Sequence, residues 1–370
     1  MVDIRVVPPR AGPTAARAWL IVTILLGSPA VAAPLGPFPV DPAQISVSGI
    51  SSGAFMANQL HVAHSAGIMG AAMIAGGLYG CAAIDVTQTG VVALASQAVG
   101  ACMSAPALLQ NPGAYKDTIA QLFEHGWIDD PANLAGAHIY LFTGRDDHVV
   151  NPATVERAAR VYRALGVPAA HIAFSDRAVD AGHSWVTADY GSACPANAPP
   201  FINDCSYDQA GIELAAIYGT LQPKAAAQTG RMIAFDQTEF VPGGAAAANG
   251  LSNTGYFYVP KTCEPGAAKR CRLHIVLHGC LQSAEIMNDT FYRHIGVNEW
   301  ADTNGILVLY PQAHGTTVQE LAVQNPMSTM NANPNGCWNW WGYAFDAQYL
   351  TRKGVQIGAI WAMVRRLEGK

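Results

Sequence analysis

Residues 45–53 read Ile45-Ser46-Val47-Ser48-Gly49-Ile50-Ser51-Ser52-Gly53, and the chain runs on as Ala54-Phe55-Met56-Ala57. The first part has the β-branched content of a strand, and the residues after Gly53 favour a helix. Between them Gly49-Ile50-Ser51-Ser52-Gly53 matches Gly-x-Ser-x-Gly. Strand, sharp turn and helix form the context in which that pattern raises a serine out of a sheet as a nucleophile elbow. The glycines suit the turn because the chain packs there too tightly for a Cβ on either side of the serine. Ser51 Oγ would then stand clear of the sheet, with the amino end of the following helix directing its dipole at developing negative charge.

The 370 residues could hold one large domain or two ordinary ones. Hydrophobic residues make up 51% and charged residues only 13%, which favours a sizeable core over disorder. The formal charge of −5, without Lys/Arg clusters, argues against a nucleic-acid partner. The amino-terminal segment carries Arg5, Arg10 and Arg17, then the apolar run Trp19-Leu20-Ile21-Val22-Thr23-Ile24-Leu25-Leu26. Pro29 and the small residues Ala30-Val31-Ala32-Ala33 follow. This is the grammar of a signal peptide, with cleavage expected after Ala32 or Ala33, and the apolar run is too short for a membrane span. All eight cysteines fall after that site. An even count in an exported chain suggests disulfides. Short-loop pairings would be Cys194–Cys205, Cys263–Cys271 and Cys81–Cys102, leaving Cys280–Cys337 as a long-range staple. No C-x-x-C, H-E-x-x-H or His/Cys cluster has metal spacing, so no structural zinc is expected.

Taken in order, residues 54–64 read as a helix and 70–75 as a buried strand closed by Gly76-Gly77. A helix is expected at 116–125, with Ile119, Leu122 and Phe123 on one face. The run 138–143 is a second buried strand, and Pro152 opens a helix through Leu165. A short strand at 171–174 and a helix near 209–221 complete an alternating half, which argues for a parallel α/β sheet. The segments 222–230 and 242–250 read as loops, and their Ala/Gly content leaves an interdomain linker open. Strands are expected at 232–240, 255–259, 273–277 and 306–310. Helices are expected near 284–301 and at 355–367, and a tryptophan-rich loop covers 336–343.

Acyl transfer by a serine needs a base, a carboxylate that orients the base, and donors for the oxyanion. Asp147 stands in the loop Gly144-Arg145-Asp146-Asp147-His148-Val149-Val150 at the end of a strand. Asp146 is its direct rival, and Asp147 is preferred because His148-Val149-Val150 follows it. Among eleven histidines, His183 lies in Asp180-Ala181-Gly182-His183-Ser184-Trp185 beyond the last strand of the alternating half. The order Ser51, Asp147, His183 is that of α/β hydrolases. One part is displaced. The His-Gly oxyanion motif normally precedes the nucleophile, whereas Leu277-His278-Gly279-Cys280-Leu281-Gln282 follows the whole set. The second half of the chain supplies the strands and helix that should lead into the elbow strand. The expectation is therefore a circularly permuted α/β-hydrolase fold, α/β in class, with a mostly parallel central sheet flanked by helices. Residues 1–33 would be the signal peptide and 34–370 a single catalytic domain without a separate polymer-binding domain.

These stretches carry a family resemblance. The chain resembles the extracellular poly(3-hydroxybutyrate) depolymerases whose lipase box comes early and whose oxyanion motif comes late. Matching segments are 49–53, Ala75-Gly76-Gly77 with Tyr79-Gly80-Cys81, 144–150, Gly182-His183, 277–282, and Asn335-Gly336-Cys337-Trp338-Asn339-Trp340-Trp341-Gly342. The resemblance implies a Ser51–His183–Asp147 triad, oxyanion donors at the backbone N–H groups of Ser52 and Cys280, and a secreted or periplasmic setting. The expected reaction is hydrolysis of polyester or hydroxyacyl oligomers with no cofactor needed, by a monomer with no membrane association after signal cleavage. A Cys280–Cys337 disulfide would tether the oxyanion loop to the tryptophan loop, so that Trp338, Trp340 and Trp341, with His278, would bind substrate. Trp338 is the first choice for the groove, and at least one tryptophan is expected in the core. The alternatives are an esterase for soluble feruloyl or acetyl polysaccharide esters and a non-catalytic exported binding protein.

Overall fold

A computed structural model describes residues 32–83, 91–319, 332–344 and 346–370. The expected signal peptide therefore falls, up to residue 31, outside the described residues.

The central strand is β1, Val40–Ile50, whose residues from Ile45 onward are buried along both faces. Continuous burial of this kind marks the inner strand of a parallel sheet. On one side it pairs in parallel with β2, Gly70–Ile74, which pairs with β3, His138–Thr143, which pairs with β4, Ile172–Asp176. Three short parallel strands, β5 (Trp185–Thr187), β6 (Ser192–Ala193) and β7 (Ile202–Asp204), form a separate small sheet. On its other side β1 pairs in parallel with a strand of the late half. That half contributes β8 (Arg231–Asp236), β9 (Thr254–Val259), β10 (Cys271–Leu277) and β11 (Ile306–Tyr310). The sheet order is β4-β3-β2-β1-β10-β11-β9-β8, with only the β9 pairings antiparallel.

One sheet thus takes strands from both halves, as permutation requires. The register places Gly49 opposite Leu277 and Ile50 opposite Ile74, so chain segments more than 200 residues apart meet at the elbow. The helices of the early half are α1 (Ser52–Ala63), α2 (Val91–Gln97), α3 (Pro112–Glu124), α4 (Pro152–Ala164) and α5 (Gln209–Tyr218). Every residue of α1 is buried, which fits a helix with no polar face packed against the sheet. The last helix, α9, is Val355–Leu367. Its end lies at the approach to β1, where the Phe38 N–H donates to Leu367 O at 2.8 Å.

Two expectations are corrected. Residues 284–301 do not form one helix. They break into α6 (Ala284–Met287), α7 (Thr290–His294) and α8 (Val297–Asn304). The breaks fall at Asn288 and Gly296, both at positive φ, which ends a right-handed helix locally. On α3, Ile119 and Leu122 are buried but Phe123 is 41% exposed, because a step of one residue turns it about 100° from Leu122. All eight cysteines are paired, as Cys81–Cys102, Cys194–Cys205, Cys263–Cys271 and Cys280–Cys337.

Candidate active site

The parallel strands all end on one edge of the sheet, the edge where open α/β folds place their ligands. Ser51 stands there with φ 54° and ψ −120°, a conformation that costs on the order of 1–3 kcal/mol for a side-chain-bearing residue. Surrounding contacts enforce it. Its N–H donates to Ile74 O at 2.9 Å, and its carbonyl accepts from the Ala54 and Phe55 amides. A Cβ on Gly49 would stand 2.2 Å from Gly53 O. A Cβ on Gly53 would stand 2.3 Å from Leu277 O and 2.4 Å from His278 O. The second glycine is needed because another strand end crosses the elbow at that point.

Asp147 lies in the turn after β3, and both its side chain and that of His183 are buried. Oδ1 accepts from the Val149 and Val150 amides, each at 2.9 Å, which fixes the carboxylate. His183 Nδ1 faces Oδ2 at 3.0 Å and Oδ1 at 3.2 Å. A Nδ1–H donated to the carboxylate leaves Nε2 as the ring's acceptor. Asp146 is different. Its side chain is half-exposed and makes no hydrogen bond among the described residues, while its backbone N–H donates to Ala181 O.

The oxyanion-type loop follows β10 and lies against the elbow. A Cβ on Gly279 would come within 3.3 Å of Ser51 Cβ. Ser51, Ser52 and Cys280 line one cavity of about 340 Å³. Phe55 and Trp340 form one wall, their rings stacked at 4.0 Å, and Trp341 and Tyr343 continue it. Ala98, Val99 and Met103 form part of another wall. They belong to the π-helical turn Ala98–Ser104, which the Cys81–Cys102 disulfide anchors. Nothing in the local sequence pattern marks that turn. Its signal was the cysteine pair itself.

Trp338 and His278 are not in the cavity. Trp338 is fully buried, and its Nε1–H donates to His278 O at 2.9 Å. His278 is also fully buried, with Nδ1–H on Gly279 O and Nε2 accepting from the Ala313 amide. Burial lowers its pKa to about 4, so the ring is neutral. Both were expected to bind substrate, Trp338 foremost. Instead they pack together beneath the loop, while Cys280 and Cys337, disulfide-bonded to each other, line the cavity with Trp340 and Trp341. Among the described residues, no group of His, Cys, Asp or Glu is arranged to hold a metal ion. No described helix is long and apolar enough to cross a membrane.

No protein-family model matches the chain. A poly(3-hydroxybutyrate) depolymerase of Delftia acidovorans is 39% identical over 345 residues, covering 92% of this chain. This chain spans 63% of that protein's length. A polyhydroxybutyrate depolymerase of Talaromyces funiculosus is 35% identical over 361 residues, covering 95% of this chain and 96% of the relative. Two solved structures also match at 31% identity, each covering 91% of this chain and 99% of the other. One is a PHB depolymerase complexed with an R3HB trimer, with a TM-score of 0.77. The other is a PHB depolymerase from Penicillium funiculosum, with a TM-score of 0.76.

Proposed function

The chain belongs to the polyhydroxybutyrate depolymerase family, and from that premise we propose that it is a serine esterase cleaving poly(3-hydroxybutyrate) or its oligomers. The reading is carried by one observation: Ser51, Ser52 and Cys280 share a cavity walled by Trp340 and Trp341. The buried His183–Asp147 pair on the same edge of the sheet supports it.

In this reading Ser51 Oγ attacks the ester carbonyl while His183 Nε2 takes its proton. Asp147 orients the imidazole and stabilises the imidazolium. The amides of Ser52 and Cys280 receive the oxyanion, and one such donor is worth roughly 3 kcal/mol. Collapse of the tetrahedral species breaks the ester C–O bond, and His183 returns the proton to the departing hydroxyl. Water, deprotonated by His183, then cleaves the acyl-Ser51 ester and releases a hydroxy acid. The apolar wall of Phe55, Trp340 and Trp341 suits the methyl-branched backbone of the polyester. The enzyme acts as a monomer outside the cytosol, secreted or periplasmic, after removal of its first 32 or 33 residues. The four disulfides support export.

Ser51→Ala tests the assignment. It should abolish release of soluble hydroxy acids from amorphous poly(3-hydroxybutyrate) and hydrolysis of p-nitrophenyl butyrate, with the circular dichroism spectrum unchanged. Retained activity would remove Ser51 from the mechanism. Hydrolysis of feruloyl esters in place of the polymer would assign the same site to soluble substrates.

A further inference from the structure

The loop closed by the Cys194–Cys205 disulfide contributes no residue to the proposed triad, yet one of its side chains touches both loops that carry the acid and the base. Asn197 Oδ1 accepts from the backbone N–H of His183 at 2.8 Å and from that of His148 at 3.0 Å. Its Nδ2 donates to Asp146 O at 2.8 Å and to Pro195 O at 3.1 Å. The amide therefore holds the backbone on both sides of Asp147 and the backbone of His183 itself.

The fit around this amide is close. A Cβ on Gly182 would lie 2.7 Å from Asn197 Nδ2 and 2.2 Å from Ala196 O. The loop is itself well braced. Asn203 Nδ2 donates to Cys194 O and Ala196 O, both at 2.8 Å, and the Gly182 N–H donates to Cys194 O. Farther along, Phe201 sets its ring edge-on to His183 at 5.8 Å. The same stretch reaches the oxyanion side as well. Gln282 Nε2 donates to Pro200 O and Phe201 O, while Gln282 Oε1 accepts from the Gly279 N–H.

We propose that Asn197 is a positioning residue that sets the distance between Asp147 and His183, and that the disulfide-closed loop 194–205 is the frame that holds it. The proposal rests on the Ser51–His183–Asp147 reading. Its physical basis is that the two loops are tied by backbone hydrogen bonds only upstream, Arg145 N–H to Val179 O and Asp146 N–H to Ala181 O, while no backbone bond among the described residues sets the spacing of residue 147 from residue 183. A single planar amide with two donors and two acceptor lone pairs can do so. A shift of about 1 Å in such a pair lowers turnover by roughly two orders of magnitude.

The test uses the full chain, with rates expressed per Ser51 site titrated by a phosphonate ester, so that misfolded molecules do not count. Asn197→Ala should lower kcat for p-nitrophenyl butyrate by roughly 100-fold with KM changed less than threefold. It should also shift or abolish the low-field proton resonance of the His183 Nδ1–H bound to Asp147. Asn197→Asp keeps an acceptor for the two amides and loses the donor to Asp146 O, so its loss should be smaller, about tenfold. A merely structural role would lower the midpoint of unfolding and leave kcat per titrated site and the resonance unchanged, which would overturn the proposal. Failure of both variants to fold would assign Asn197 to the fold rather than to the site and would also overturn it. An active Ser51→Ala protein would sink the underlying triad, whereas an inactive one beside fully active Asn197 variants would sink only the clamp.

Discussion

Gly53→Ala tests the arrangement on which the site depends. The added methyl carbon would stand 2.3 Å from Leu277 O and 2.4 Å from His278 O, and both obstacles are backbone. Ordinary contact begins about 1 Å farther out, so β10's end and the loop beyond it must retreat from the elbow by roughly that distance. Overpacking of this kind costs about 1–3 kcal/mol of stability. In the proposed mechanism the same retreat carries the Cys280 N–H away from an oxyanion held at Ser51. Loss of one such donor lowers kcat by roughly 10²- to 10³-fold. The proposed mechanism makes that hydrogen bond in the transition state, so kcat and kcat/KM should fall together.

The assay is p-nitrophenyl butyrate hydrolysis beside urea unfolding of the same preparation. Gly136→Ala serves as the control, since a Cβ there meets nothing within 4 Å. It should change stability by less than about 0.5 kcal/mol and leave kcat alone. Gly53→Ala protein with kcat within threefold of the parent and an unchanged urea midpoint would refute the claim that the late loop crosses the elbow.

Asp147→Asn should lower kcat by roughly 10³- to 10⁴-fold, as expected when the orienting carboxylate is lost. Asp146→Asn should stay within threefold, and similar losses in the two would remove Asp147's special role. Trp338→Phe deletes the donor to buried His278 O and should lower stability by about 1–3 kcal/mol. Trp341→Ala should chiefly raise KM for a hydroxybutyrate trimer, and the opposite pattern would reverse their assigned roles. Acid should destabilise the fold before any carboxylate of ordinary pKa is neutralised. Burial lowers the pKa of His61, His64 and His274 to about 3 and that of His278 to about 4, from 6.5. Below pH 6.5 the unfolded chain then binds more protons than the folded one. The histidines' contribution is therefore complete above pH 6.5 and declines as the pH falls toward 4, by as much as about 2 kcal/mol per histidine at pH 5, while Glu213 beside His274, its pKa raised by burial, works in the opposite direction. A urea midpoint unchanged between pH 7.5 and pH 5 would contradict this.

The sheet was legible in the sequence where burial leaves a local signature. Apolar runs such as His138-Ile139-Tyr140-Leu141-Phe142-Thr143 became inner strands, and the late His-Gly motif pointed to a permuted order. Three things were not legible, each for a physical reason. The breaks at Asn288 and Gly296 required weighing left-handed backbone against an otherwise helical pattern. Trp338 turns to the buried His278 while Trp340 and Trp341 line the cavity, and an irregular loop has no periodicity to encode that. Asn197 sits in Pro195-Ala196-Asn197-Ala198-Pro199-Pro200, where loop composition hides a contact made to residues 14 and 51 positions away.

The permuted order leaves the site intact because neighbour relations in a sheet are set by register rather than by chain order. Slipping β10 by one residue against β1 would move Cys280 by about 3.3 Å and turn every β10 side chain to the opposite face. Apolar burial alone resists this only weakly, since both faces are buried: Leu273, Ile275 and Leu277 on one, Val276 on the other. His274 supplies the discrimination. Its Nδ1 bonds Ser46 Oγ at 2.7 Å and its Nε2 bonds Ser48 Oγ at 2.9 Å, both across the β1–β10 seam. A one-residue slip would push this ring into the apolar layer and break both of its hydrogen bonds, at a cost of about 1–3 kcal/mol for each polar group left unsatisfied, although Ser46 Oγ would keep Tyr218 Oη at 2.6 Å. The polar contacts of His274 thus favour this register, and the register brings Gly279 against Ser51, with Cys280 lining the same cavity.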